Sequence, residues 1–295
     1  MLKNLSIATA AACVSIVLGT HRAAIAATFT VTQENNPTNL LNALLGETTG
    51  LSNFTVTANG NAEAFGLFSN DPFGLSSGIV LSTGRVVDIP GENTEDGGIV
   101  PDVFNAPNDL STDFSPDGAS GDSTTLNISF DADGTAEKLF FQYVFGSEEF
   151  KEFGGSQFND SFTLTLNGVN LALLSNGNLV TINNLVPNPS GSFNPDYINN
   201  PAGTGTETKL DGFTKVLTFE GLLNKNATNF LTINIQDVGD GLLDSAVFIK
   251  GQSLGIRPPV EQVPEPNTML AILALGALST VSWKQKRHNK STSQV

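Results

Sequence analysis

The chain has 295 residues and a formal net charge of −15, because 29 acidic side chains outnumber 14 basic ones; it contains one cysteine and two histidines. This charge makes nucleic acid and anionic membrane surfaces poor partners and makes cations good ones. Cys13, His21 and His288 all lie near the ends. Disulfide staples, zinc-histidine sites and catalysis by Ser-His or Cys-His pairs are therefore excluded from the central part of the chain.

The N-terminal segment has the three parts of a secretory signal peptide. Lys3 supplies a basic start, Leu5–Leu18 is apolar, and Ala24 and Ala26 form a small-x-small cleavage site. The pattern predicts a signal peptide over residues 1–26, which implies export by the Sec translocon.

The part of the chain between the signal peptide and the C-terminal basic cluster is more negatively charged than the whole chain. Six of the 14 basic residues lie in these segments, namely Lys3, Arg22, Lys284, Lys286, Arg287 and Lys290. All 29 acidic residues lie between them with only eight basic ones, which gives this part a formal charge of −21. A stable domain with this charge favours bound cations.

One short helix is predicted near the start of the central region. Apolar residues recur at helical spacing over Asn39–Leu45, and Gly46 follows as a stop signal. Two polar stretches rich in Pro, Gly and Asn, Pro90–Gly121 and Pro187–Thr208, are predicted to be long loops.

The rest of residues 27–255 consists of short β-rich runs separated by Asn, Asp, Gly and Pro. The runs predict strands at Phe29–Thr32, Phe54–Thr57, Ile79–Thr83, Thr125–Phe130, Leu139–Phe145, Phe162–Leu166, Leu179–Ile182, Val216–Phe219, Phe230–Ile235 and Ala246–Ile249. Several alternate apolar with polar residues, which is typical of antiparallel sheets that bury one face. Asp131–Gly134 is typical of a hairpin turn. The prediction is an all-β antiparallel β-sandwich, jelly-roll-like, with one short N-terminal helix, long loops and a C-terminal transmembrane helix.

Paired acids follow one predicted strand. Glu148 and Glu149 come after a β-rich run, and Asp160 precedes the next one. These carboxylates are compatible with ligation of a cation, with the general acid and base of a glycosidase, or with ordinary turn packing. The glycosidase requires two carboxyl groups about 5–10 Å apart across an open cleft.

An Asp/Gly loop joins the last two predicted strands. Asp237, Asp240 and Asp244 lie within eight residues that also include Gly239 and Gly241. Hard oxygen ligands in an acidic exported protein suit calcium, and Glu148, Glu149 and Asp160 could complete the same site. A turn in which the carboxylates cap backbone N–H groups is the alternative.

The order of segments from Thr38 to Gln252 resembles the choice-of-anchor L domain. The resemblance rests on Phe65–Phe68, Leu75–Gly84, Tyr143–Phe150, Phe158–Asp160, Gly212–Thr214, Asp237–Asp240 and Asp244–Phe248. It implies an extracellular surface or matrix protein whose domain is joined to one of several C-terminal sorting devices. It implies no established activity and no catalytic residues.

The C-terminal segment resembles the PEP-CTERM sorting signal. Val263, Pro264, Glu265 and Pro266 precede an apolar run, Thr268–Trp283. A basic cluster follows, formed by Lys284, Lys286, Arg287, His288 and Lys290. Sixteen helical residues span about 24 Å, so crossing a core of about 30 Å needs help from the interfacial Trp and the lysines.

These features predict a linker over 256–267 and, over 268–290, a transmembrane helix with a basic cytoplasmic tail. The resemblance implies cleavage by an exosortase-type enzyme after transient membrane insertion, then release to the surface or to a matrix that contains exopolysaccharide. A permanent single-span anchor is the alternative.

The sequence thus predicts a non-catalytic, calcium-stabilised protein of the cell surface or extracellular matrix. A carbohydrate-binding module that contacts extracellular polysaccharide is a second hypothesis, for which Tyr143 and Tyr197 are candidate platform residues. A glycosidase that uses Glu148, Glu149 and Asp160 is a third.

Overall fold

The computed structural model describes residues 28–96, 108–115 and 121–259. The predicted signal peptide, the Pro-Glu-Pro segment and the transmembrane helix with its basic tail lie outside these residues. Within them, no helix is long and apolar enough to cross a membrane.

The described residues form thirteen strands and two short α-helices. The strands are β1 Thr30–Gln33, β2 Leu51–Asn59, β3 Phe65–Ser69, β4 Ser77–Ser82, β5 Ser123–Ala132, β6 Lys138–Ser147, β7 Ser161–Leu166, β8 Val169–Asn170, β9 Tyr197–Asn199, β10 Gly212–Thr214, β11 Leu217–Leu222, β12 Ala227–Gln236 and β13 Ser245–Lys250. The helices are α1 Pro37–Leu44 and α2 Ile182–Leu185.

The strands form two antiparallel sheets that pack face to face. The larger sheet has the order β1-β3-β4-β13-β6-β10-β9, and β11 also pairs with β6. The smaller sheet has the order β2-β5-β12-β7-β8. This arrangement confirms the predicted antiparallel sandwich.

The smaller sheet buries one face only. Along β12, Leu231, Ile233 and Ile235 are buried in the core between the sheets, whereas Phe230 and Thr232 point away from it. Polar side chains bond across this outer face, for example from the Thr232 hydroxyl to Asn127 at 2.9 Å. The alternation seen in the sequence therefore matches a sheet with one solvated face.

The larger sheet is buried on both faces at its centre. Its central strands β4 and β13 are almost continuously buried, and a second apolar cluster, which includes Val80, Val144 and Phe248, covers the outer face. Loops bring Ile89 and Leu110 onto this cluster. The loops thus form a layer of their own, since they cover apolar surface that would otherwise be exposed to water.

Helix α1 begins at its N-cap. The Asn36 side chain accepts hydrogen bonds from the backbone N–H groups of Thr38 (2.9 Å) and Asn39 (3.4 Å), and Pro37 occupies the first turn. Leu40 and Leu44 are fully buried against the core. The helix lies close to the predicted position but starts two residues earlier. The prediction began too late because it did not identify the N-cap residue in the sequence.

Two local predictions are wrong. Leu179–Ile182 was predicted as a strand, but it forms only isolated bridges before Ile182 begins α2. Asp131–Gly134 is not a hairpin turn, because β5 and β6 belong to different sheets. Strands β3, β8, β9 and β10 were not predicted.

Candidate functional site: the acidic end of the sandwich

Three neighbouring strands of the larger sheet each have an acid just beyond the strand, at the same end of the sheet. The last paired positions of β13, β6 and β10 lie opposite one another, at Ser245, Ser147 and Gly212. The next residue beyond each of these positions is, in the same order, Asp244, Glu148 and Asp211. The antiparallel register therefore lines up three carboxylates that are far apart in the chain.

The smaller sheet repeats the arrangement. Gln236, at the end of β12, pairs with the first residues of β5 and β7, so Asp237 lies between Asp122 and Asp160. Asp122 is hydrogen-bonded by the Phe114 N–H (2.7 Å) and the Ser115 hydroxyl (2.9 Å). Like charges on directly neighbouring strands repel one another, so this row is costly unless it is neutralised.

The two rows meet at the end of the sandwich. The Ser245 hydroxyl donates to Asp160 Oδ2 at 2.7 Å and approaches the Ser147 hydroxyl at 2.8 Å, which links the two sheets. Loop residues add Glu149 and Asp240. The term "acidic end" is used here for these residues together: Asp122, Glu148, Glu149, Asp160, Asp211, Asp237, Asp240 and Asp244.

Four of the predicted ligands, Asp160, Asp244, Glu148 and Asp240, already accept hydrogen bonds from the protein. Asp160 Oδ1 accepts from the Val238 N–H at 2.9 Å, and Asp244 Oδ1 accepts from the Thr112 N–H at 2.8 Å. Burial nevertheless raises the pKa of Asp160 to about 6 and that of Asp244 to about 7. These carboxylates anchor loops as well as contributing charge.

Asp237 and Glu149 are much less well satisfied. Neither carboxylate oxygen of Asp237 accepts a hydrogen bond of ordinary geometry, although the side chain is 1% exposed, and Glu149 Oε2 also has no partner. Burial, followed by repulsion from Asp160, raises the pKa of both carboxyls, and that of Glu149 reaches about 10. Asp240 adds further repulsion to Glu149. Each unpaired buried oxygen costs about 1–3 kcal/mol.

No basic side chain compensates for this charge within the described part of the chain. Its ion pairs are Arg85–Asp88, Lys138–Glu220 and Lys225–Glu137, all on exposed surfaces. The acidic end is therefore neutralised either by protons or by a cation that the protein itself does not supply.

The six residues predicted to bind calcium do not converge on one point. Asp160 is a neighbour of both Asp237 and Glu149, and Asp240 acts on Glu149, whereas Glu148 Oε1 accepts from the Asp109 N–H of another loop at 2.7 Å. Across residues 28–96, 108–115 and 121–259, no three acidic side chains form a ready-made metal centre. Calcium binding thus stays a prediction and would require the carboxylates to close on the ion.

Sequence reasoning missed two acids of this end, Asp122 and Asp211. Asp211 directly precedes β10, which was not predicted. Asp122 directly precedes β5, for which the predicted strand began two residues too late. The signal that could have found them is positional, because an acid next to the predicted end of every neighbouring strand implies a row across the sheet.

Geometry does not favour the glycosidase. Glu148, Glu149 and Asp160 are at most 2% exposed, so they do not face an open cleft of the kind that a sugar chain enters. Tyr143 and Tyr197 are also buried, which removes both as sugar platforms. An open depression of about 270 Å³ lies elsewhere and is lined by Leu171, Leu173, Leu174, Ser175, Leu217, Thr218 and Glu220.

Comparison with known proteins gives two family matches. A family model described as the choice-of-anchor L domain matches residues 29–255, and one described as a PEP-CTERM protein-sorting motif matches residues 262–287. No curated protein matches the sequence. A solved family 35 carbohydrate binding module from an environmental isolate is similar at 10% identity, over 61% of this chain and 98% of the module, with a TM-score of 0.19. A likeness of that size carries no argument about function.

Proposed function

Because the chain belongs to the choice-of-anchor L domain family and carries a PEP-CTERM sorting motif, we propose that it is a non-catalytic protein of the cell surface or extracellular matrix. In this proposal, the Sec translocon exports the chain, the C-terminal helix inserts into the membrane, and an exosortase-type enzyme then releases the domain. The observation that carries the proposal is the order of the two matches, in which residues 262–287 directly follow a domain at 29–255.

Replacement of Pro264, Glu265 and Pro266 by alanine tests the sorting step. The intact mass of the wild-type surface protein is expected to lack the residues after the cleavage point, whereas the triple variant stays in the membrane with its C-terminus intact. We expect this because proline biases a chain toward an extended form, which a processing enzyme can reach.

Lys290→Ala is the matched control, since Lys290 follows the matched residues. It is expected to be processed like the wild type. Normal release of the triple variant, or a wild-type surface protein that retains its full C-terminus, would contradict the proposal.

The proposal includes calcium as a stabilising ion between the two sheets. Asp237 and Glu149 supply buried oxygens without partners; Asp160 lies next to both, and Asp240 acts on Glu149. Calcium suits this set because it accepts six to eight oxygen ligands in irregular geometry. Backbone carbonyls of the 237–244 loop are further candidates, since this loop crosses from the smaller sheet to the larger one.

Thermal unfolding of the full chain with calcium and then with chelator tests this part. A ligand that binds only the native state must raise the midpoint, so chelation is expected to lower it. Asp237→Asn should reduce the calcium effect on the midpoint, whereas the exposed Glu63→Gln should leave it intact. An unchanged midpoint on chelation removes calcium from the proposal.

The proposal also includes a contact with matrix polysaccharide. The exposed aromatic side chains among the described residues include Phe193 and Phe230, but neither tyrosine reaches the surface. Sugar platforms usually combine a ring face with a polar edge, which Phe lacks. Binding of the full chain to a glycan array would favour this role.

A further inference from the structure

A second group of acids includes Glu148 and its neighbour Asp211. The sheet register places Asp211 directly opposite Glu148, and the two side chains are 3% and 2% exposed. Asp211 Oδ1 accepts a hydrogen bond from the Asn93 amide at 2.7 Å, but Asp211 Oδ2 has no partner. Glu148 Oε2 likewise has none. Each of these two carboxylates thus has one buried oxygen without a hydrogen-bond partner.

Two loop carboxylates complete this group. Glu152 Oε2 is buried without a partner, and both Glu152 and Asp96 are close enough to Asp211 to repel it and raise its pKa. Asp96 Oδ1 accepts from the Ala202 N–H at 2.6 Å. The group Asp96, Glu148, Glu152 and Asp211 is called the loop-side cluster below.

The loop-side cluster has no ion pair within the described ranges. Lys151 acts on Glu152 from the neighbouring position and lowers its pKa, but its charge is outweighed by burial, and the pKa of Glu152 still rises to about 7. Four carboxyl groups beside a single ammonium group cannot all be ionised at low cost in this largely buried position. The cluster is therefore neutralised either by protons or by a cation with oxygen ligands.

The same residues join three separate loops. The Asn93 amide donates to the Asn200 carbonyl oxygen at 2.8 Å as well as to Asp211, and Glu148 Oε1 receives the Asp109 and Leu110 N–H groups. These contacts link the 90–96, 108–115 and 200–211 loops to the end of β6. The loops are also the layer that covers the outer face of the larger sheet.

We propose that the loop-side cluster binds a second divalent cation of the calcium type, which fastens the loop layer onto the larger sheet. The free oxygens of Glu148, Asp211 and Glu152 are the expected carboxylate ligands, with Asp96 as a fourth. Its expected ligands share no residue with the site around Asp237, although Glu149 of that site is close enough to Glu148 and Glu152 to be repelled by both. This proposal rests on the proposed function, because export to the cell surface or matrix exposes the domain to extracellular calcium.

Terbium, which replaces calcium in oxygen sites, gives a direct test. Tyr197 borders the loop-side cluster, since Glu152, Asp211 and Asp96 all act on its hydroxyl and a Cβ on Gly212 would lie 2.7 Å from that hydroxyl oxygen. Excitation of the full chain at the tyrosine band is therefore expected to produce terbium emission that excess calcium suppresses. Tyr197→Phe should remove most of this emission, while Tyr143→Phe should leave most of it.

Binding stoichiometry separates the two sites. Calcium titration of the chelator-treated full chain is expected to show two bound ions in the wild type, with one lost in Asp211→Asn or Glu152→Gln and the other lost in Asp237→Asn. Asparagine keeps the acceptor that the Asn93 amide requires, which makes it a conservative change. Circular dichroism of each variant identifies any that fail to fold, and Glu152→Gln then serves in place of Asp211→Asn.

The outcomes are distinguishable. One ion that disappears only in Asp237→Asn, or terbium emission that persists in Tyr197→Phe, overturns the second site but leaves the first. One ion that disappears only in the loop-side variants supports the second site and removes the first. No bound calcium at all overturns both and leaves the sorting proposal to its own test.

Discussion

Gly84 shows how a single residue determines the position of a buried acid. A Cβ atom at this position would lie 1.8 Å from Asp244 Oδ2, a distance that no side chain tolerates. Asp244 is 1% exposed and its other oxygen holds the Thr112 N–H, so it has little room to move. The absence of a side chain at residue 84 therefore allows the carboxylate to sit at the edge of the larger sheet.

Gly84→Ala is expected to destabilise the protein by about 1–3 kcal/mol, the usual cost of overpacking a buried site. Urea unfolding followed by circular dichroism measures the change. Gly134→Ala is the control, because its Cβ would lie 3.3 Å from an exposed Asn226 amide and the expected change is within about 0.5 kcal/mol. Equal effects of the two substitutions would show that Asp244 moves freely.

At the scale of the element, β12 shows what an alternating pattern means. It pairs with β5 on one side and β7 on the other over much of its length, and every second side chain enters the core. Ile233 is fully buried, whereas Phe230, three positions earlier, is 61% exposed. Hydrophobicity alone does not distinguish the two residues, but the period of two does.

Ile233→Ala is expected to cost about 2–5 kcal/mol, because it leaves a cavity between the sheets. Phe230→Ala, on the same strand, should change the free energy of unfolding by less than about 0.5 kcal/mol. Urea unfolding of both variants gives the comparison. A larger loss for Phe230→Ala would mean that the outer face of the smaller sheet is covered by another surface.

Strands with a long alternating pattern were predicted from the sequence, and those without one were missed. β5, β7 and β12 follow their patterns closely. β9 and β10 have three residues each, too few to establish a period; they are strands because β10 pairs with β6 and β9 pairs with β10. Leu179–Ile182 has the composition of a strand, but Thr181 caps α2 by accepting the Asn184 N–H.

At the scale of the whole molecule, the negative charge is not spread evenly. Six strand ends place acids at one end of the sandwich, and burial raises the pKa of Glu148 to about 9 and those of Glu149 and Asp211 to about 10. The unfolded chain ionises these groups at about pH 4. The folded state therefore disfavours the ionised form of the carboxyl groups at the acidic end.

This distribution makes stability in chelator depend on pH in an unusual direction. The pKa values of these carboxyl groups are higher in the folded state than in the unfolded state. Their contribution to the free energy of unfolding is therefore full below about pH 4 and is lost as pH rises through about 9. The unfolding midpoint in chelator is expected to fall between pH 6 and pH 8.5. Calcium should reduce this slope and raise the midpoint more at pH 8.5, since ligands must be ionised to bind the ion.

Thermal unfolding at the two pH values, with calcium and with chelator, measures the effect. Buffers must be matched in ionic strength, since salt also screens the repulsion. A midpoint in chelator that rises with pH would mean that the acids are paired in a way the geometry does not show. Equal slopes with and without calcium would mean that protons alone neutralise the acidic end.

The sequence by itself determined the class of the fold, the family and the importance of Glu148, Glu149, Asp160 and the 237–244 loop. It did so because alternation, turn residues and motif order are local properties that the chain states directly. Only the tertiary structure decided which carboxylates are neighbours. Asp211 stands beside Glu148, and Asp122 beside Asp237, because antiparallel register aligns residues more than sixty positions apart. Local pattern carries no information about that register, which is why the division of the acids into two groups appeared only when the sheets were assembled.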